Sequence, residues 1–367
     1  MRRTFGERGG ELSFLAVYFL VLGLAQLGCA RLELAGLSAA GPWRGLNNVV
    51  GVALVVGGCL MMPPAFGVFL YVVPATLLAL LTSVILGSLT SNHLRPDRSL
   101  SPGFWPDWRC ERFDIPNGIS FIPALLFTPH EHRDSVICVA HGSGDSKTGF
   151  KWRLFDMLLQ RGFVVLTVDL AGHGENQAAQ RWPDCIAELP VVLDWLRQTV
   201  PCRHVFLLGI SMGGALSAHA ASQCQLDGLV LCETPLEVTY SRQLVWREAW
   251  DSLRSPIIDL LRDISPWQIW KRWQVPVGRR EIGLGDLIRR LDVPARLAEI
   301  VNPVFLVYGG RDHIAPVSQA KRLLNAAPDK GHRLLVASEA SHLALTQMPS
   351  VNAAIADWLV EQERPAI

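Results

Sequence analysis

An apolar run, Val205-Phe206-Leu207-Leu208, stops on Gly209, and Ser211 follows with Gly213 on its other side. Eight of the twelve residues from Gly209 to Ala220 are Gly, Ala or Ser. A buried strand that turns at once into a closely packed helix needs this pattern. Bulk two residues either side of the serine would collide with the turn, so glycine stands there. The bend forces the serine into a strained conformation and lifts its hydroxyl above the sheet. The helix behind it aims backbone N–H groups at any negative charge that develops there.

From about residue 110 the chain alternates between strand and helix patterns. Asn117-Gly118 inside "ERFDIPNGISFIPALLF" marks a hairpin. "SVICVAH", "FVVLTVDL", "HVFLLGI", "GLVLCE", "PVFLVYG" and "HRLLVAS" read as short buried strands. "KWRLFDMLLQRG", "CIAELPVVLDWLRQTV", "GGALSAHAASQ" and "VNAAIADWLVEQ" read as helices between or after them. This alternation predicts an α/β domain with a mainly parallel sheet and helices on both faces. Ligands of such a sheet bind beyond the carboxyl ends of its strands, which is where the reactive residues fall.

A serine hydroxyl is a weak nucleophile until a base takes its proton. His342, in "ASEASHLAL" after the last strand, is the candidate base. Asp312, in "VYGGRDHIAP" after the preceding strand, is the candidate acid that orients it. Glu233, ending the strand in "LVLCETP", competes for that role. Each has a bland reading: His342 as a core or capping histidine, Asp312 as a helix cap. The turn His141-Gly142-Ser143-Gly144 can bring a backbone N–H beside that of Met212, and two such donors make an oxyanion hole. His141 itself reads as structural.

On "HGSG", "DLAGHGEN", "GISMGG", "GGRDHIAP" and "ASHLAL", residues 110–364 resemble the α/β-hydrolase family. The nearest look is to its serine aminopeptidase, monoglyceride lipase and carboxylesterase-like branch. The resemblance implies an α/β-hydrolase fold with Ser211 as nucleophile, His342 as base and Asp312 as acid. It also implies the N–H groups of Ser143 and Met212 as oxyanion hole, and neither cofactor nor metal. Asn176 stands where the family's "GHGxS" loop commonly has serine. Residues 235–301 occupy the position of the family's helical lid. There Trp267, Trp270 and Trp273 surround Lys271 and Arg272, which suits either a membrane–water interface or packing of the lid on the core.

The first third of the chain is different. Half of all residues are hydrophobic, and from Leu46 to Ser91 there is no Asp, Glu, Lys or Arg. Pro63-Pro64 breaks that stretch. Residues 1–91 are therefore expected to form an all-α membrane segment with about three transmembrane helices, 12–30, 47–63 and 66–89. A cleaved signal, or lipidation at Cys29, is the alternative for the first. Residues 92–109, rich in proline and mixed charge, read as a linker to a domain at 110–367. Four arginines (Arg31, Arg44, Arg95, Arg98) flank the spans on the domain's side and three (Arg2, Arg3, Arg8) on the other. The positive-inside rule then favours the cytoplasm for the domain, by one arginine.

A net charge of +1 gives no electrostatic case for nucleic acid. The eight cysteines form no CxxC pair, Cys138 and Cys232 read as buried hydrophobes, and His130-Glu131-His132 reads as a solvated loop. The expected function is a membrane-anchored serine hydrolase that cleaves a carboxylic ester, of a small molecule or a lipid. Acyl transfer on the same triad, a serine peptidase and a non-catalytic binding module are the alternatives.

Overall fold

The computed structural model describes residues 44–61, 103–104, 107–147, 152–238, 241–254, 280–326, 332–342 and 344–363, with isolated positions between 16 and 27. The chain divides into two compact units, residues 1–90 and 91–367.

In the first unit α1 spans Arg44–Leu60. Glycines let it pack closely on the preceding segment. A Cβ at Gly23 would lie 2.7 Å from the Gly51 carbonyl oxygen, and one at Gly58 would lie 2.8 Å from that of Ala16. The three-span membrane reading is corrected here. Among the described residues no helix is long and apolar enough to cross a membrane. The helix at the second expected span has 17 residues. At a rise of ~1.5 Å per residue it falls short of a hydrocarbon core about 30 Å thick. It also starts on Arg44 and gives way to a turn at Met61, ahead of Pro63-Pro64. The first expected span, 12–30, is described only in part, and the third, 66–89, lies outside the described residues.

The second unit is built on one nine-stranded sheet, in the order β1-β2-β3-β5-β4-β6-β7-β8-β9. The strands are β1 Gly103–Phe104, β2 Trp108–Asn117, β3 Ser120–Pro129, β4 Ser135–Ala140, β5 Val164–Val168, β6 His204–Ile210, β7 Gly228–Cys232, β8 Val304–Gly309 and β9 Arg333–Ala337. β2 and β3 form the hairpin that Asn117-Gly118 signals. Asn117 pairs with Ser120 across the turn, and Gly118 takes the left-handed conformation there, at φ 62°. β3 runs antiparallel to β5, and every pair from β5 through β4 to β9 is parallel. A parallel strand needs a long crossover before it returns to the sheet, and helices supply it.

Two cores follow from the alternation of side chains along each strand. On one face Cys138, Leu166, Leu207, Leu231 and Leu306 are fully or almost fully buried. They lie beneath α3 (Glu188–Thr199), α4 (Met212–Ala221), α6 (Leu284–Leu291), α7 (Val293–Glu299) and α8 (Val317–Ala326). On the other face Ile137, Val165, Phe206, Val230 and Val307 meet α2 (Trp152–Gln160) and α9 (Pro349–Gln362). Central strands buried on both sides explain the unbroken apolar runs of the sequence. Between β7 and β8, where the lid is expected, α5 (Arg242–Arg254), α6 and α7 are described. Trp267, Trp270 and Trp273 lie outside the described residues. Burial pushes the Cys138 thiol up to about 12, as fits a packing residue.

Candidate active site

Ser211 stands between β6 and α4 with φ 53° and ψ −117°, a strained conformation for a residue with a side chain. The surroundings hold it there. Its N–H donates to the Cys232 carbonyl at 2.8 Å, and its own carbonyl accepts from Gly214 at 2.9 Å. The flanking glycines are required by close approach. A Cβ on Gly209 would sit 2.5 Å from the Gly213 oxygen and 2.5 Å from Gly214 Cα. One on Gly213 would run into the Ala140 and His141 carbonyls. Gly209→Ala is therefore expected to cost about 1–3 kcal/mol through overpacking. Thermal unfolding reads this directly, and an unchanged melting temperature would contradict it.

Two more strand ends meet at the serine. His342 Nε2 lies 3.0 Å from Ser211 Oγ, and His342 Nδ1 lies 2.8 Å from Asp312 Oδ2. The other Asp312 oxygen accepts the N–H groups of Ile314 and Ala315, each at 2.7 Å. The capping role and the role beside the histidine thus coexist in one carboxylate. The loops carrying Asp312 and His342 are stitched together, with the Arg311 N–H donating to the Ala340 carbonyl at 2.9 Å. A Cβ on Gly309 would lie 2.5 Å from that same Ala340 oxygen, so glycine lets the two loops pass.

Burial disfavours a charged His342. The Asp312 carboxylate, through its charge and its hydrogen bond, outweighs burial, with further help from Glu248. The imidazole is left above the ordinary histidine range. Glu233 also lies here, with donor or acceptor atoms of Glu233, Asp312 and His342 all within 4.8 Å of one another. Its backbone is left-handed, at φ 49°. Burial, then the neighbouring Asp312 and Glu248 charges, push its carboxyl well above the usual range. Of the two carboxyl groups, Asp312 is the one in hydrogen-bond contact with His342 Nδ1.

The loop after β4 closes another side. A Cβ on Gly142 would come within 3.3 Å of Ser211 Cβ, which makes this loop the serine's immediate neighbour, and Ser143 follows it. Met212 opens α4, so its N–H has no acceptor within the helix. His141 ties loops together, with Nδ1 2.8 Å from the Gly142 carbonyl and Nε2 accepting the Leu170 N–H at 3.1 Å. The Gly-His-Gly loop is braced by Asp169, which accepts from Lys147 Nζ at 2.5 Å and from the Glu175 N–H at 2.8 Å. Asn176, where the resemblance leads one to expect serine, donates to the Asp169 carbonyl at 2.8 Å and to Glu188 at 3.0 Å.

One group near the site has no signal in the sequence. Glu248, on α5, accepts the His342 N–H at 2.7 Å and the His313 N–H at 3.0 Å. It sits 94 residues from His342 in a segment with no recognisable motif.

Known proteins share this architecture. The model of the α/β-hydrolase family matches residues 136–355, more than half of the chain. No curated protein matches. Among solved structures, an esterase of Pyrococcus furiosus superposes with a TM-score of 0.51 at 17% identity, covering 75% of this chain and 98% of its own. A bromoperoxidase of Bacillus anthracis gives 0.50 at 17%, covering 68% and 99%. The enzyme Est1E of Butyrivibrio proteoclasticus, with ferulic acid bound, gives 0.50 at 15%, covering 68% and 99%. Identities this low establish the fold. The sheet order, the turn at Ser211 and the family match lead to one conclusion: this chain belongs to the α/β-hydrolase family.

Proposed function

We propose that the protein is a serine hydrolase that cleaves a carboxylic ester. The observation that carries this reading is the unbroken chain from Ser211 Oγ through His342 to Asp312, at 3.0 and 2.8 Å. In this reading Ser211 Oγ attacks the ester carbonyl carbon as its proton passes to His342 Nε2. The imidazolium, steadied by Asp312, returns that proton to the departing alcohol, and the acyl group remains on Ser211. Water then attacks the acyl carbon, losing a proton to His342, and His342 passes that proton to Ser211 Oγ as the carboxylic acid leaves. The N–H groups of Met212 and Ser143 are assigned to the oxyanion, supported by the open end of α4 and by the loop abutting Ser211. The test is covalent labelling of Ser211 by a fluorophosphonate probe, together with turnover of p-nitrophenyl esters.

An apolar or lipid-borne ester is the favoured substrate class. The support is that α5 exposes Trp246 and Trp250, at 76% and 57%. We also propose association with membranes through the first unit, supported by its uncharged stretch and by exposed Val49, Val52, Val56 and Leu60 on α1. The full chain is expected to sediment with membranes in a neutral buffer of low salt. Release into the supernatant would overturn this part of the proposal and leave the chemistry untouched.

A further inference from the structure

The chain between β7 and β8 contributes more than a cover. Glu248 lies on α5, is 5% exposed, and spends both carboxylate oxygens on backbone donors of the two reactive loops. Oε1 takes the N–H of His342, and Oε2 takes the N–H of His313, next to Asp312. One turn further along the same helix, Asp251 Oδ2 lies 2.7 Å from His313 Nε2. One helix face therefore grips the loops that carry the acid and the base.

For folding alone, a carboxylate is a poor choice here. The groups facing it are Asp312 and His313 from the loop after β8, His342 from the loop after β9, and Glu233 from the end of β7. Asp251 stands on its own helix, and Tyr308, whose hydroxyl donates to the Thr234 carbonyl, feels the Asp312 charge. Burial and the Asp312 charge both work against an ionised Glu248, while His342 and the two N–H donors favour it. That balance improves when His342 becomes a cation, which is the state formed as it takes the serine's proton. An interaction that strengthens as charge develops favours the transition state over the ground state.

We propose that Glu248 is a positioning residue for the Ser211–His342–Asp312 array. Docking of α5 through Glu248 holds the backbones of the base and acid loops in register and stabilises the imidazolium. The proposal rests on the hydrolase reading given above. It makes the segment between β7 and β8 part of the machinery, because the array is complete only with α5 in place.

Glu248→Gln in the full-length protein is the direct test. A carboxamide keeps the shape but has one acceptor oxygen, so one N–H loses its partner and the charge is gone. Expected are a fall in kcat of about 10- to 30-fold, from one charge-assisted hydrogen bond, and a KM nearly unchanged. The pH midpoint of kcat/KM should move down, because Glu248 helps hold His342 above the ordinary range. A merely structural role would leave that midpoint where it was. Wild-type kcat with an unmoved midpoint in a folded Glu248→Gln protein would overturn the proposal. If that variant does not fold, Asp251→Asn carries the test. It loosens the same helix from a half-buried position, and it should slow fluorophosphonate labelling of Ser211 several-fold. An unchanged labelling rate would count against the proposal. Failure of the hydrolase reading looks different, since wild-type protein would then not label at Ser211 at all.

Discussion

Ser211→Ala is expected to abolish fluorophosphonate labelling and to cut ester turnover by about 10⁶-fold. The size follows from the chemistry. Without Oγ there is no acyl-enzyme, and what survives is oxyanion stabilisation and binding, worth about 10³–10⁴-fold over water. Stability should not fall with activity. Ser211 has the φ of a left-handed residue, and the small change to alanine removes one hydroxyl whose partner, His342, keeps Asp312. Intact-mass measurement after probe treatment, with a thermal melt as control, reads both. A Ser211→Ala protein that still labels would move the nucleophile elsewhere. A wild-type protein that neither labels nor turns over short and long esters would favour a non-catalytic binding role.

The second large effect is expected at Asp312. Asp312→Asn should lower kcat by about 10⁴-fold, because an amide can donate to Nδ1 and stabilise the wrong tautomer. The pH dependence gives a sharper signature. His342 acts as base only when neutral, so activity rises with pH through its pKa. Burial lowers that pKa, and Asp312 more than restores it. Removing the carboxylate therefore moves the acid limb of kcat/KM to lower pH while the plateau falls. A larger loss in Glu233→Gln than in Asp312→Asn would show that Glu233 is the operating acid. Its position within 4.8 Å of both residues makes this a fair contest. The 2.8 Å contact of His342 Nδ1 favours Asp312.

The two outcomes bear on how reactivity is held here. Ser211, Asp312 and His342 each follow a different strand, β6, β8 and β9, and β7 stands between the first two. The parallel pairing keeps these strand ends level, so a one-residue slip in register would separate His342 from Asp312. Glycines at 209, 213 and 309 then allow backbone to approach backbone where a side chain could not fit. Precision at the site is thus purchased with residues that react with nothing.

In the N-terminal unit, apolar composition alone does not separate a membrane span from a helix packed on its neighbour. Its uncharged stretch reads as two of the three expected spans, 47–63 and 66–89, and the helix described there ends at Leu60. Two of its glycines, Gly51 and Gly58, pack against Leu27, Gly23, Ala16 and Leu20. Hydropathy counts the apolar residues and is blind to which of them face another helix.

What the sequence determined by itself was local. The turn at Ser211, the hairpin at Asn117-Gly118, and the standing of Asp312 and His342 at strand ends are written in adjacent residues, because periodicity and turn chemistry act over a few positions. Tertiary structure alone decided which groups meet. It set β5 between β3 and β4, gave His342 Nδ1 to Asp312 with Glu233 close by, and brought Glu248 across 94 residues to the histidine's backbone. Such contacts depend on how helices pack over the finished sheet, and no local pattern records that.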